Sequence, residues 1–112
     1  MTVENNVLLV YVTCPDIGVA KQLARILVES RVCACANILP QVQSIYHWDG
    51  QIEDEPEALM LLKTTVSDYP ALEALVKRHH PYDVPECVAV PIALGSADYL
   101  HWVEESVRKT EQ

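Results

Sequence analysis

The stretch CACANILPQVQSIYHWDGQIEDEPEALMLLKT, from Cys33 to Thr64, decides the fold of this chain. Two strand-like arms of about 15 residues each meet at Asp49-Gly50, whereas a usual strand has about five or six residues. An Asp-Gly pair between such arms is a strong hairpin signal, because both turn residues must accept a positive φ. A ribbon this long cannot bury itself in a domain of 112 residues. We therefore predict that its outer half packs against another copy of the chain.

Two prolines divide this ribbon into an inner and an outer part. Pro40 and Pro56 cannot donate a ladder hydrogen bond, so each should lie at a sheet edge or a bulge. The inner part is apolar enough to join a central sheet, and the outer part carries three amphipathic side chains in a row. The predicted base is Cys33–Leu39 with Ala58–Thr64, and the predicted tip is Val42–Trp48 with Gln51–Glu55.

Hydrophobic patterns on either side of the ribbon predict the remaining elements. The apolar run from Val7 to Thr13 predicts a central strand that is buried on both faces. Asp16 should cap a helix that ends near Ser30 and has its apolar residues at helical spacing. Three further elements are a helix from a Ser67 cap to His80, an edge strand within Glu86–Ile92, and a helix opened by Gly95-Ser96.

These elements follow the order β-α-β-β-α-β, with one more helix at the end. The order is typical of the ferredoxin-like sandwich, an α+β fold with its helices on one face of an antiparallel sheet. We predict one such domain over residues 1–112, with an extra C-terminal helix and a long hairpin between the second and third strands. The opposite face of the sheet stays uncovered unless the third helix or another subunit packs on it, so this fold also predicts association.

Composition argues against several classes of function. The chain has 16 acidic and 8 basic residues, and its net charge of −8 disfavours nucleic-acid binding. No run approaches the roughly 20 apolar residues of a membrane span. The first residues have no signal-peptide pattern, so we expect a cytoplasmic protein. The acidic run Glu53–Glu57 is interpreted as a solvated rim of the hairpin, with a hard-cation site as the alternative.

The four cysteines, Cys14, Cys33, Cys35 and Cys87, are expected to be reduced. None belongs to a Cys-x-x-Cys pair, which excludes a zinc ribbon or a thioredoxin-like motif. Cys33 and Cys35 would share a strand face, either as a soft-metal chelate or, more commonly, as buried structural thiols. Cys14 before a helix could pair with His79 as a nucleophile, but no third residue or oxyanion-hole signature accompanies it, so we expect no enzyme.

Several motifs in one register give the chain a specific resemblance. The sequence resembles the CutA family, the divalent-cation tolerance proteins, over about Val7 to Val107. The matching motifs are Thr13–Asp16, Glu29–Pro40, Ser44–Gly50, Lys63–Thr65, His79–Glu86 and Tyr99–Trp102.

This resemblance implies a tight homotrimer with the architecture of the PII signalling proteins, in which the long hairpin extends the sheets of neighbouring subunits. It also implies binding of copper or related divalent cations such as zinc, through paired histidines and a first-strand cysteine. The paired histidines are His79 and His80, while Val12 stands at the cysteine position and Cys14 follows two residues later on the same strand face. Cys35 matches the cysteine of the family's Ala-Cys-Ala-Asn pattern.

The two histidines also have a purely structural interpretation. Imidazole and thiolate ligands together favour copper, and a helix end at Pro81 would let both rings approach one ion. Adjacent helical residues point about 100° apart, however, and a histidine in the last turn of a helix is favourable by about 0.3–1 kcal/mol without any metal. His79 shares the predicted apolar face of its helix, so an interface histidine is the alternative.

A second hypothesis places function in a cleft between subunits. By the family resemblance, Trp48, Lys63, Tyr82 and Glu86 lie around this cleft. Polar groups beside an aromatic wall suit a small effector or a partner protein, although a structural ion pair suits Lys63 and Glu86 equally well. The sequence therefore predicts a copper-binding tolerance protein that responds to metal ions, with a PII-like signalling or assembly module as the alternative.

Overall fold

The computed structural model describes residues 5–107, which form a four-stranded antiparallel sheet and three helices. The strands are β1 (Val7–Cys14), β2 (Cys35–Trp48), β3 (Gln51–Thr65) and β4 (Cys87–Pro91), and the helices are α1 (Ile17–Glu29), α2 (Tyr69–His79) and α3 (Ala97–Ser106). The strand order in the sheet is β2-β3-β1-β4. This is the ferredoxin-like topology with an added C-terminal helix, so the predicted fold class is confirmed.

The core lies between α1 and α2 and one face of the sheet. Alternate residues of β1 point into it, including Val10, Val12 and Cys14, all of which are fully buried. Met60 and Leu62 of β3 meet them from the neighbouring strand. Cys14 and Val12 therefore do share a face, as the sequence predicted, but that face is the hydrophobic core.

The second face of the sheet is only partly covered. Helix α3 packs Leu100 and Val103 against Val7 at one end of β1. Further along this face, Leu39, Val88 and Val90 remain 40%, 52% and 45% exposed. No residue of β1 itself is exposed in this single chain, as predicted for a central strand, but β2 and β4 leave apolar surface uncovered on this face. We refer to this uncovered area as the open sheet face.

The ribbon has the predicted turn and the predicted bulge. Asp49 and Gly50 have φ values of 51° and 79°, as a two-residue hairpin turn requires. The register shifts between Leu39 and Val42, where Pro40 interrupts the ladder, whereas Pro56 lies opposite Gln43 without a break. One boundary was wrong, because β2 begins at Cys35 and leaves Cys33 buried in the preceding bend.

The outer part of the ribbon extends past the rest of the sheet. Strand β1 ends at Cys14, which lies opposite Ala58. From Glu57 to the turn, β3 pairs only with β2, and no strand within residues 5–107 lies on its other edge. This edge position explains how Pro56 is accommodated without a bulge.

The helix starts agree with the sequence at two of three positions. Asp16 and Ser96 accept hydrogen bonds from the N–H groups of Val19 and Tyr99, at 2.8 and 3.4 Å, and so cap α1 and α3. Ser67 does not cap α2; the capping position is Asp68, whose carboxylate instead accepts a 2.9 Å hydrogen bond from the Thr65 hydroxyl.

Candidate functional site

A cleft of ≈ 750 Å³ lies between the outer ribbon and the loop that follows α2. Its lining includes the carboxylates of Glu53, Glu55, Glu57, Asp83 and Glu86 and the aromatic rings of Tyr46, Trp48 and Tyr82. None of the described residues that line it is a lysine, an arginine or a histidine. The cleft is therefore strongly acidic and has aromatic walls.

Hairpin pairing explains why three of these carboxylates share a wall. Successive strand residues point to opposite faces, so Glu53, Glu55 and Glu57 lie on the same face of β3. We call these three residues the glutamate row. The register places Tyr46 directly opposite Glu53 on that same face.

Glu57 differs from the other two glutamates because it is buried. Its side chain is only 8% exposed, and the Tyr82 hydroxyl donates a 2.8 Å hydrogen bond to its Oε2 atom. The interpretation of the acidic run as a solvated rim is therefore wrong at Glu57. Within residues 5–107, the ion pairs are Arg25–Glu29 and His101–Glu105, so no side chain of the described chain neutralises this carboxylate.

The burial and the negative charge of the cleft raise the pKa of both its tyrosine hydroxyl groups. Burial, followed by the hydrogen bond and the charge of Glu57, raises the pKa of Tyr82 above its ordinary range. Desolvation and then the carboxylates of the glutamate row raise the pKa of Tyr46. Both rings therefore remain neutral hydrogen-bond donors at physiological pH.

His80 holds the loop that carries Tyr82. It is the C-cap residue of α2, which ends at His79, one residue before the predicted end, and His80 is 7% exposed. Its Nδ1 atom accepts a 3.1 Å hydrogen bond from the Tyr82 N–H, so Nε2 carries the proton and donates to the Thr13 carbonyl at 2.7 Å. The two rings also contact each other, with centroids 4.7 Å apart. Both nitrogens of His80 are thus already engaged, which leaves neither one available to a metal ion.

Cys14 is also unavailable as a ligand in this arrangement. Its thiol is fully buried and donates to the Met60 sulfur at 3.5 Å. Burial, and then the negative charges of Glu57 and Asp16, raises its pKa to about 11. Metals and electrophiles react with the thiolate, which is therefore disfavoured here.

Cys35 and Lys63 lie at the far end of the sheet from the cleft. They face each other across the β2–β3 ladder. Lys63 lies six residues along β3 from Glu57, a distance of about 20 Å. The Cys35 sulfur contacts the Tyr99 hydroxyl at 3.4 Å, and the Lys63 ammonium donates to the Asn37 side chain. The structure therefore brings Trp48, Tyr82 and Glu86 together at the cleft but does not place Lys63 there.

His79 is the predicted ligand that is left accessible. It ends α2 and is exposed in this single chain. Within one chain, Cys14, Cys35, His79 and His80 do not converge on a point. Among residues 5–107, no group of three or more His, Cys, Asp or Glu side chains is arranged to hold a metal ion.

The same stretches that build the hairpin and the cleft match a family model over residues 8–106, described as CutA1 divalent ion tolerance protein. The chain belongs to the CutA1 family. This agrees with the resemblance carried by the ribbon and by the His79–Glu86 segment.

Relatives of known name support the CutA1 assignment. Protein CutA of Mus musculus is 48% identical over 103 residues, which cover 92% of this chain and 58% of that protein. The chain thus spans less than two thirds of this mammalian relative. The divalent-cation tolerance protein CutA of Thermus thermophilus is 47% identical over 97 residues, covering 87% of this chain and 94% of that protein.

Solved CutA1 structures share the fold. A divalent cation tolerance protein (Cut A1) from Thermus thermophilus superposes with a TM-score of 0.88 at 45% identity, covering 91% of this chain and 99% of that one. A CutA from Archaeoglobus fulgidus, described as periplasmic, gives a TM-score of 0.88 at 32% identity, with the same coverage. In residues 5–107 of the present chain, no helix is long and apolar enough to cross a membrane.

Proposed function

We propose that this CutA1 chain acts as a homotrimer that binds copper or related divalent cations, such as zinc, in the response to metal ions. The observation that carries the assembly is the outer ribbon, where β3, from Glu57 to the turn, has no strand of residues 5–107 on its other edge. The proposal assigns the protein a binding role and no catalysis. In support of a binding role, the Cys14 thiol is held protonated and His80 has no nitrogen left to activate it.

The outer ribbon leaves both an edge and apolar surface without a partner. Ile45, Ile52 and Trp48 at the tip are 67%, 60% and 59% exposed. An unpaired strand edge can form hydrogen bonds with another strand, and exposed apolar side chains beside it are unfavourable in water. A second copy of the chain supplies complementary groups for both the ribbon and the open sheet face. Three copies, arranged as in the PII proteins, would close this contact into a ring.

Sedimentation equilibrium tests the assembly. At micromolar concentration we expect a single species with three times the 12.6 kDa mass of the chain. A species of 12.6 kDa under these conditions contradicts the proposal. A dimer or a hexamer would also contradict it, since neither is a three-fold ring of this chain alone.

Cation binding is supported by the family and by the charge distribution, while within one chain the four predicted ligands do not converge. The chain has 16 acidic and 8 basic residues, which gives a net charge of −8. Five of the carboxylates line one cleft. His79 offers an exposed imidazole of the kind that copper and zinc prefer. We therefore propose that His79 contributes to the cation site and that a neighbouring subunit supplies the remaining ligands.

Isothermal titration with Cu²⁺ and Zn²⁺ tests His79 as a ligand. We expect His79→Ala to weaken binding at least about tenfold, equivalent to about 1.4 kcal/mol. The matched control is His47→Ala, because His47 is also exposed but lies on the ribbon tip. If His79→Ala leaves affinity and stoichiometry unchanged, or if His47→Ala weakens binding as much, the assignment is wrong.

A second candidate function is that of a PII-like signalling module whose cleft holds a small effector. It is favoured by the size of the cleft and by its aromatic walls, Tyr46, Trp48 and Tyr82. Small-molecule sites typically combine such walls with a few fixed polar groups. We place either function in a reducing compartment, the cytoplasm, and this is supported by the four unpaired cysteine thiols.

A further inference from the structure

The charge of the cleft restricts what it can hold. Five carboxylates line it, and no described residue of its lining is basic. An anionic effector such as a nucleotide would meet repulsion from every side and find no side-chain cation to bind its phosphates. The cleft therefore favours a cationic ligand.

Glu57 has no positively charged partner among residues 5–107. A carboxylate that is more than nine-tenths buried is normally paired, because burial of an unpaired charge is strongly unfavourable. Its Oε2 atom accepts one hydrogen bond from a neutral phenol, and within residues 5–107 its Oε1 atom receives none. No buried polar side-chain atom of the described residues is both enclosed and unpaired, so Oε1 is reached from the cleft. A donor that enters the cleft can bind there.

The spacing of the glutamate row suggests more than one positive charge. Alternate residues of a strand lie about 6.7 Å apart, so the three carboxylates form a line with that repeat. Two amino groups on a four-carbon chain are separated by five single bonds of about 1.5 Å in a zigzag, or about 6 Å. A linear diamine can therefore place one ammonium group on each of two neighbouring glutamates.

The aromatic rings supply the apolar half of such a site. Tyr46 lies directly opposite Glu53 in the ladder, and Trp48 follows on the same face of β2. The faces of these rings attract ammonium groups and also cover the methylene groups between them. Both rings are partly exposed, at 38% and 59%, so they are accessible to a ligand.

We propose that the cleft binds a linear aliphatic polyamine, whose ammonium groups pair with the glutamate row while its methylene chain lies against Tyr46 and Trp48. The proposal rests on the second candidate function, and it names the chemical class of the effector. Glu57 is the deepest contact, and Tyr82 orients its carboxylate through the hydroxyl hydrogen bond.

Titration calorimetry with 1,4-diaminobutane and spermidine at constant ionic strength tests this proposal. We expect both to bind more tightly than 1-aminobutane, and Glu57→Gln to weaken spermidine binding at least about tenfold. The matched control is Asp54→Asn, which removes the same charge from the opposite face of the same strand. Because both variants have the same net charge, non-specific attraction affects them equally, and we expect Asp54→Asn to change affinity less than about twofold.

Three outcomes overturn the proposal. Equal binding of the diamine and the monoamine would refute the spacing argument, and equal losses in the two variants would reduce the effect to general electrostatics. Unchanged spermidine affinity in Glu57→Gln, together with a weaker trimer by sedimentation, would show that a neighbouring subunit neutralises Glu57. A thermal-shift screen of anionic and neutral metabolites distinguishes a failure of the polyamine proposal from a failure of the effector function itself. Stabilisation by one of those alone would refute the polyamine and retain the effector function, whereas no stabilisation by any small molecule would refute both.

Discussion

Replacing His80 by phenylalanine is expected to lower the thermal midpoint by about 10–15 °C, whereas His79→Ala should leave it within about 2 °C. Phenylalanine keeps an aromatic ring beside Tyr82, although a larger one, and removes both ring nitrogens. The Thr13 carbonyl and the Tyr82 N–H then lose their partners. Each unpaired buried group destabilises by about 1–3 kcal/mol, so the sum is about 3 kcal/mol. For a chain of this size, 1 kcal/mol corresponds to about 4–5 °C.

This pair of variants separates a structural histidine from an exposed one at adjacent positions. Differential scanning calorimetry measures the midpoints, and a binding titration on His80→Phe checks the cleft, whose Tyr82–Glu57 contact depends on the same loop. Equal midpoints for the two variants would show that the His80 hydrogen bonds are not important for stability. A destabilised His79→Ala would instead indicate that this side chain is buried against another subunit.

Much of the cleft could have been predicted from the ribbon sequence. A two-residue turn at Asp49-Gly50 fixes the register, and from it the pairing of Tyr46 with Glu53 follows by counting. The period of two along β3 then places the glutamate row on the aromatic side. The alternation of Glu53, Glu55 and Glu57, and not the acidic composition of the run, carries this information.

Other features depend on contacts that no local pattern encodes. His80 is buried because the loop after α2 returns to the end of β1, where the Thr13 carbonyl accepts its hydrogen bond. The resemblance places Lys63 and Glu86 around a cleft between subunits, whereas within one chain the long β3 strand carries Lys63 to the opposite end of the sheet from Glu86. Both outcomes are set by tertiary geometry between segments far apart in sequence, beyond the reach of propensity and periodicity.

The ribbon tip and the cleft share one strand pair but present different chemistry on its two faces. The glutamate row and Tyr46 occupy one face, while Ile52 pairs with His47 on the other, diagonal to Ile45. The glutamate row continues the open sheet face along β3, so a neighbouring subunit that covers this face also borders the cleft.

The double variant Ile45→Glu/Ile52→Glu is expected to convert the trimer into monomers at micromolar concentration. Burying an isoleucine side chain contributes about 1.5–3 kcal/mol, so each subunit interface loses about 3–6 kcal/mol before any charge is counted. This corresponds to a factor of about 10²–10⁴ in the association constant of each interface. The added carboxylates would also repel the acidic residues already at the tip, such as Asp54. Sedimentation equilibrium measures the result.

The matched control is Val28→Glu/Val66→Glu, which adds the same charge at apolar residues that are 38% and 56% exposed but lie outside the ribbon. We expect this control to remain trimeric, because neither residue belongs to the unpaired edge. If both double variants dissociate, net charge and not the ribbon governs assembly. If neither dissociates, the tip is not an interface, and the open sheet face, with Leu39, Val88 and Val90, must hold the subunits together by itself. Circular dichroism on any dissociated species shows whether the sheet persists. We expect it to persist, because the core lies between α1, α2 and one face of the sheet within each subunit.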